Sequence, residues 1–411
     1  MNTQDIKDSK NLNAPSKGNV PALRFPEFTE EWIFAPLYDY LEENKERNRN
    51  DEFDKGDVLS VSGDYGIVNQ IQLLGRSFAG SSVRDYHIVR KGNIVYTKSP
   101  LKKYPYGIVK VNKGNEGIVS TLYAVYCVKQ NAIGDFIESY FALPKRTNRY
   151  FKPIVRIGAK HDMKIGNEEA IANIVCFPSY AEQRKISAFI SLLNERISIQ
   201  SRIIEKYESL IKAILVEHYR KCNKTEQFIH DIGEPFNVMN LSKDDLSKDG
   251  NPCIIYGELF TTYGCVIENV VSHATKSPNS TLSTKGDLLF PASTTVDALS
   301  LIAPSAINED GIILGGDMFG IHVNERNNSN YLSYYFNIIG KKNLAKYAKG
   351  STIIHLHYAD IQNVKITLPN KNEQEAIAKL LLNVEHKLNI EQKVLANHLN
   401  TKNFLLQQMF I

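Results

Sequence analysis

Three basic stretches of the sequence carry side chains that could contact nucleic-acid phosphates. The first, "TKSPLKKYPYG" at 97–107, holds lysines close to tyrosines. Lysine and arginine neutralise phosphates, while Arg, Asn, Ser and Thr can read base edges. The residues of this stretch that we predict to contact nucleic acid are Lys98, Lys102, Lys103 and Tyr104.

The other two stretches lie in comparable places in the two halves of the chain. Residues 141–164 contain a single acid, Asp162, and residues 340–357 contain none. A basic run is usually only a solvated face, but a merely solvated face has no reason to recur. The predicted nucleic-acid-binding residues are Lys145, Arg146, Arg149, Lys152, Arg156 and Lys160, then Lys341, Lys342, Lys346 and Lys349, together with the polar residues Ser293, Thr294, Ser351 and Thr352.

Motifs for catalysis and for metal binding are missing from the sequence. It holds no G-x-x-x-x-G-K-[ST], G-x-G-x-x-G, H-E-x-x-H or G-x-S-x-G pattern, and no Asn/Asp-Pro-Pro-aromatic signature of an amino-methyltransferase. His355 and His357 alternate as on a strand, which is more typical of a solvated face than of a metal site. We therefore expect neither a catalytic residue nor a bound metal.

Composition narrows the class of protein. Of 411 residues, 43% are hydrophobic and 23% charged, which is typical of a soluble globular protein. The net charge of +4 is too small to prove a nucleic-acid partner by itself. The five cysteines are scattered and never spaced C-x-x-C, which suits a reducing cytosol. Without a signal-peptide pattern or a membrane-length apolar run, we expect a cytoplasmic protein.

The sequence contains an internal repeat with a fixed offset of 191 residues. This offset aligns Pro178 with Pro369 and the Glu-Gln pair at 182–183 with the pair at 373–374, and it holds for about 38 residues without a gap. The chain is thus two copies of one unit, each a globular half followed by a long helix. Weaker similarities pair 90–99 with 284–293, 117–128 with 311–323 and 138–143 with 332–338.

Apolar residues spaced alternately by four and three predict two long helices, each with a heptad seam. Both seams carry one polar residue at the same level, Gln200 and Glu391. Each helix could pack on its own domain, but a helix from Glu182 to Arg220 is about 58 Å long at ~1.5 Å per residue, longer than such a domain is wide. Two seams more simply bury each other as an antiparallel coiled coil. The predicted packing residues are Ile186, Ile190, Leu193, Ile197, Ile204, Ile377, Leu381, Val384, Leu388 and Leu395.

The remaining segments predict mixed globular halves, because short β-branched and aromatic runs alternate with Gly, Pro and short helical patterns. The predicted fold class is α+β: two mixed α/β domains separated by two long helices, with a pseudo-two-fold internal repeat. The expected boundaries are a disordered tail at 1–20, a first domain at 21–180, a first long helix at 181–222, a second domain at 223–370 and a second long helix at 371–411.

With these features the chain resembles, over nearly its whole length, the specificity subunit of Type I restriction–modification systems. The resemblance lies in "VPALRFPEFTEEW" at 20–32, "VYTKSPLKKYPYG" at 95–107, "GSTIIHLHYADIQNVKITLP" at 350–369 and the two Pro-x-x-x-Glu-Gln helix starts. The first half departs from it, since Gly-Ala-Lys-His at 158–161 replaces the Gly-Ser-Thr-Ile version.

The resemblance implies a non-catalytic chain that binds double-stranded DNA. Each half would be a target recognition domain that reads one part of a bipartite asymmetric site, and the coiled coil would set the spacing and dock two modification subunits. S-adenosylmethionine, ATP and Mg would belong to partner modification and restriction subunits. Two alternatives stay open: an adaptor whose coiled coil joins proteins without reading DNA, and a DNA-modifying enzyme in its own right.

Overall fold

The computed structural model describes residues 18–80, 82–101, 103–157, 163–239, 241 and 245–411. They form two compact units. The first unit comprises the residues up to Ile199 together with Leu395–Ile411, and the second comprises Gln200–Val394. No helix among the described residues combines the length and the apolar character that a membrane span requires.

The first unit packs short strands and helices around an aromatic core. Phe136 is central to this core, with ring centroids 5.0 Å from Phe177 and 5.1 Å from Phe410. Its helices are α1 (Gln70–Leu74), α2 (Gly134–Tyr140), α3 (Pro144–Phe151) and the start of α4 (Tyr180–Lys221). Its strands are β1 (Ile33–Pro36), β2 (Leu41–Glu43), β3 (Leu59–Ser62), β4 (Gly66–Asn69), β5 (His87–Val89), β6 (Ile94–Tyr96), β7 (Val109–Val111), β8 (Gly117–Val119), β9 (Ala124–Val128), β10 (Arg156–Ile157), β11 (Met163–Lys164) and β12 (Ile174–Phe177).

The second unit has the same mixed character. Its helices are the rest of α4, then α5 (Glu258–Thr261), α6 (Ala298–Leu301), α7 (Ser329–Ile338), α8 (Lys341–Leu344), α9 (Tyr358–Ile361) and the first part of α10 (Lys371–Gln408). Its strands are β13 (Thr225–Phe228), β14 (Gly233–Asn237), β15 (Leu246–Ile255), β16 (Val266–Ile267), β17 (Ser272–Ala274), β18 (Thr281–Leu282), β19 (Asp287–Pro291), β20 (Ser293–Thr294), β21 (Ser305–Ile307), β22 (Ile313–Gly315), β23 (Met318–Val323), β24 (Ile354–His355) and β25 (Lys365–Leu368).

The sheets confirm the internal repeat. The first unit has a sheet in the order β2-β9-β6-β7, and the second has one in the order β14-β23-β19-β21-β16. In both, the central strand (β6 or β19) pairs antiparallel with its two neighbours. It also follows a glycine at positive φ, Gly92 at 87° or Gly286 at 91°. A left-handed turn of this kind favours glycine. The antiparallel pairs β1–β12 and β13–β25 complete the equivalence.

The long helices have the predicted seams. Every predicted packing residue, from Ile186 to Leu395, is buried or half-buried. Within the second unit, Gln200 Nε2 donates to the carbonyl oxygen of Glu391 at 3.0 Å and to its carboxylate. Near the other ends of these segments, His218 lies beside Glu373. The two helices therefore run antiparallel in this unit, and the predicted fold class is confirmed.

A buried glutamine fixes the start of α4. Gln183 is 1% exposed. Its Nε2 donates to the carbonyl of Pro178 at 3.0 Å, and its Oε1 accepts from the backbone N–H of Ile133 at 3.1 Å. Because Ile133 directly precedes α2, one side-chain amide joins three segments of the first unit.

The second unit repeats this arrangement at the start of α10. Gln374, also 1% exposed, donates to the carbonyl of Pro369 at 2.9 Å and accepts from the backbone N–H of Asn328 at 2.9 Å. Asn328 directly precedes α7. The spacing from proline to glutamine is thus a structural requirement: the amide reaches back to the strand end and across to a helix start.

Two predicted boundaries need correction at the chain ends. Residues 1–17 of the expected tail lie outside the described residues, but the carbonyl of Asn19 already accepts from the N–H of Trp32 at 2.8 Å. At the other end, α10 stops at Gln408, and Met409 and Phe410 are buried in the core of the first unit. The ordered structure therefore begins before residue 21, and the second helix ends before residue 411.

We expect Gln374→Ala to lower the free energy of unfolding by about 1–3 kcal/mol, because it leaves the Asn328 N–H and the Pro369 carbonyl buried without partners. Gln392→Ala, at an exposed position of the same helix, is the matched control and should be nearly neutral. Urea unfolding of both variants measures the difference. Equal unfolding midpoints would contradict the assigned role.

Candidate nucleic-acid interface

In the second unit, short strand pairing brings the predicted polar residues together. β20 pairs antiparallel with β24, so that Ser293 lies opposite His355 and Thr294 lies opposite Ile354. Ser293 is buried and Thr294 is half-buried. The loop that leads into β24 carries Ser351 and Thr352, both exposed. We call the side chains of β20 together with residues 349–355 the second-unit loop surface.

The loop of this surface is closed by its own backbone. Lys349 and His355 exchange two backbone hydrogen bonds, of 2.9 and 2.7 Å. Gly350 has φ at +117°, and a Cβ there would lie 2.0 Å from the carbonyl oxygen of Ile353. Only glycine fits this position, and the turn holds Ser351 and Thr352 out in solvent.

The charge of the second-unit loop surface is mixed. Lys342, Lys346 and Lys349 are exposed. The ammonium group of Lys349 lies 2.5 Å from the Asp360 carboxylate, and this hydrogen bond lowers the pKa of Asp360. Lys341 is half-buried, and its pKa is lowered by burial. Lys342 and Lys346 are therefore better placed than Lys341 and Lys349 to meet an approaching phosphate.

Sequence reasoning missed apolar residues beside this surface. Val296 is 71% exposed and Ile353 is 50% exposed. The Val296 N–H is held by the Thr294 hydroxyl at 3.3 Å. Apolar side chains at such a surface can contact thymine methyl groups. In the sequence, each of these apolar residues directly follows a Thr-Thr or Ser-Thr pair, a pattern that the prediction from charged residues did not include.

In the first unit, the 97–107 segment is largely occupied by internal bonds. Lys98 has φ at 46°, a strained value for a residue other than glycine. Its ammonium group donates to Asn167 at 2.8 Å, and burial lowers its pKa. The Tyr104 hydroxyl donates to the carbonyl of Ala142 at 2.8 Å. Lys103 is exposed, and Lys102 lies outside the described residues.

The 141–164 segment separates into an exposed and a buried set. Lys145 and Arg149 of α3 are exposed, as are Lys152 and Arg156 beyond it, while Lys160 lies outside the described residues. Arg149 also donates to the carbonyl of Ile411 at 3.2 Å. Lys145, Lys152 and Arg156 are therefore accessible to a phosphate, whereas Arg149 would first have to leave Ile411.

Arg146 requires a correction, because it cannot reach a phosphate. It is 7% exposed and donates to the carbonyls of Tyr140 at 2.7 Å and of Leu406 at 2.8 Å. Its guanidinium group stacks over the rings of Tyr140 and Phe410, and burial lowers its pKa to about 10. Arg146 holds α10 against α2 and is removed from the predicted interface.

Comparison with known proteins gives this surface a context. Residues 224–399, which include the second-unit loop surface, match the family model of the Type I restriction modification DNA specificity domain. The structure is similar to that of a Type I restriction-modification S subunit from M. genitalium, with a TM-score of 0.61 at 13% identity, covering 95% of this chain and 99% of that one. It is also similar to a chain from a structure describing complex assembly and conformational transition of the type I R-M system, with a TM-score of 0.52 at 15% identity, covering 92% and 97%. Residues 224–399 thus match the Type I restriction modification DNA specificity domain, and the fold of the chain is similar to that of Type I restriction-modification S subunits.

Proposed function

We propose that this chain reads a bipartite, asymmetric DNA site, with one half-site contacted by each unit. The observation that carries the proposal is the family match to a DNA specificity domain over residues 224–399, combined with the repetition of that fold in the first unit. The two surfaces differ in sequence, so the two half-sites should differ as well. The chain itself should be non-catalytic.

Exposed lysines and arginines of the two units should contact phosphates and supply much of the affinity. In the second unit these are Lys342 and Lys346, and in the first unit they include Lys103, Lys145 and Lys152. The hydroxyl groups of Thr294, Ser351 and Thr352 are suited to base edges, since they both donate and accept hydrogen bonds.

The long helices are proposed to set the spacing between the half-sites and to dock two modification subunits. In support, both helices expose large apolar side chains, which mark interaction sites when they are frequent on a surface. We propose that the modification and restriction subunits bind S-adenosylmethionine, ATP and Mg. We also propose that the chain acts in the cytoplasm. The exposed apolar residues are Phe189, Leu192, Ile199, Leu399 and Phe404 in the first unit and Leu210, Val216, Leu380 and Ile390 in the second.

The two-reader proposal is tested by a chimera. Replacing residues 225–368, from the start of β13 to the end of β25, with the matching segment of a relative should change one half-site only. The other half-site should stay, because the first unit has its own core. The methylated motif is sequenced in cells that carry the chimera and in cells that lack the gene. If both half-sites change together, the units do not read DNA independently.

Spacing is tested by lengthening the helices. Seven residues inserted after Gln200 and seven after Glu391 keep both heptad seams in register and extend each helix by ~10 Å. The half-sites should be unchanged while the unread gap grows by one to a few base pairs. An unchanged gap in the methylated motif would show that the helices do not determine spacing.

Two neighbouring residues separate DNA contact from folding. Lys145→Ala should weaken DNA binding for all sequences without affecting stability. It should also reduce the slope of the logarithm of the binding constant against the logarithm of salt concentration by about one. Arg146→Ala should lower the free energy of unfolding by at least about 2 kcal/mol, because buried carbonyls lose a charged donor. Binding is measured at several salt concentrations, and stability is measured by urea unfolding. If Arg146→Ala weakens binding without loss of stability, the assigned roles are wrong.

A further inference from the structure

A glutamate directly precedes the buried glutamine in both copies, but its neighbouring residues differ between them. In the first unit, Ser179 begins the helix and Glu182 is fully buried. Arg24 neutralises this carboxylate with two hydrogen bonds, of 2.8 and 2.7 Å. A buried carboxylate needs such a partner, because desolvation of an unpaired charge is costly.

The equivalent carboxylate of the second unit, Glu373, has different neighbours. Its Oε2 is buried and has no hydrogen-bond partner among the described residues. Potential ligand atoms of His218, Cys222 and Glu373 all lie within 4.8 Å of one another. The Nδ1 of His218 and the hydroxyl of the fully buried Tyr331 are likewise buried without a partner among the described residues. The ring centroids of His218 and Tyr331 are 6.5 Å apart. Three unpaired polar atoms in this region indicate a missing partner.

The sequence repeat shows which residue the first unit has at the place of His218. With the offset of 191, His218 occupies the place of Met409, which is buried in the apolar core of the first unit. His218 and Cys222 are four residues apart at the end of α4, so both side chains lie on one face. The second unit thus has His218 where the first has Met409. The nearby carboxylate of Glu373 has no arginine partner among the described residues.

Imidazole, thiolate and carboxylate are the donors that bind zinc and cobalt in proteins, at about 2.0–2.3 Å. Lys224 is the nearby cation, but its ammonium group is held by the carbonyls of Tyr219 at 2.6 Å and Cys222 at 2.9 Å. It caps the end of the helix and does not pair with Glu373 in this arrangement.

We propose that His218, Cys222 and Glu373 bind one divalent cation of the zinc class, with a water molecule as the fourth ligand. The Tyr331 hydroxyl can bond to that water. The cation takes the place that Arg24 has in the first unit and links the end of α4 to the start of α10 within the second unit. This cluster was not predicted from the sequence, because Glu373 lies more than 150 residues from His218 and Cys222, and these two residues form no standard metal-binding motif.

The test uses the full chain purified without a histidine tag and titrated with Co²⁺. We expect one cobalt per chain, a thiolate-to-cobalt charge-transfer band, and displacement by Zn²⁺. Cys222→Ser should abolish the band, and Glu373→Gln should weaken binding at least about 100-fold, since even outer-shell changes cost 10–100-fold. Cys127→Ser, at another half-buried cysteine, is the matched control and should keep the band.

A second measurement needs no variant and therefore does not depend on variant folding. In the unaltered chain, Zn²⁺ should slow alkylation of Cys222, and leave that of Cys127 unchanged, as followed by peptide mass spectrometry. Absence of the charge-transfer band, its persistence in folded Cys222→Ser, or equal alkylation of Cys222 with and without Zn²⁺ would each overturn the proposal.

Discussion

A single buried amide side chain fixes the point where each globular fold becomes a long helix. Gln183 and Gln374 each bond to the carbonyl of the preceding proline and to the N–H at the start of a neighbouring helix. An amide has both a donor and an acceptor, so it can satisfy two backbone groups that no apolar residue could. Because both amides are buried, loss of either bond would lower the free energy of unfolding. The two bonds hold the direction of each helix relative to the sheet of its own unit.

Periodicity made the architecture predictable from sequence. A heptad seam depends only on local spacing, and the predicted seam residues are all buried or half-buried. The repeat was recognisable because the proline and the Glu-Gln pair of the glutamine junction are the same in both copies, whereas the surrounding loops differ. Gln200 and Glu391 show the same principle: a polar residue in each seam at one level predicts a mutual contact, and they hydrogen-bond to each other.

Individual surface residues were less predictable, because exposure depends on segments that are distant in sequence. Lys145 and Arg146 are adjacent and both basic, yet one is exposed and the other is 7% exposed. The two side chains differ in their direction around α3. Arg146 contacts Phe410 and the carbonyl of Leu406, which lie some 260 residues later in the sequence. Lys98 likewise reads as a free cation in sequence but is held by Asn167.

Divergence between the copies follows a physical rule. Residues that satisfy backbone hydrogen bonds or adopt a positive φ are the same in both copies, as in the glutamine junctions and the glycines before β6 and β19. The neighbours of a charged position have changed: Glu182 is paired with Arg24, whereas Glu373 has His218 and Cys222 nearby and a buried oxygen without a partner among the described residues. Backbone hydrogen bonds admit few substitutes, but a carboxylate accepts any positive neighbour of suitable size. Exposed side chains of the second-unit loop surface, such as Ser351 and Thr352, are less constrained than Gly350, whose positive φ and close contact with Ile353 admit only glycine. A repeated scaffold can therefore carry side chains that differ between its two copies.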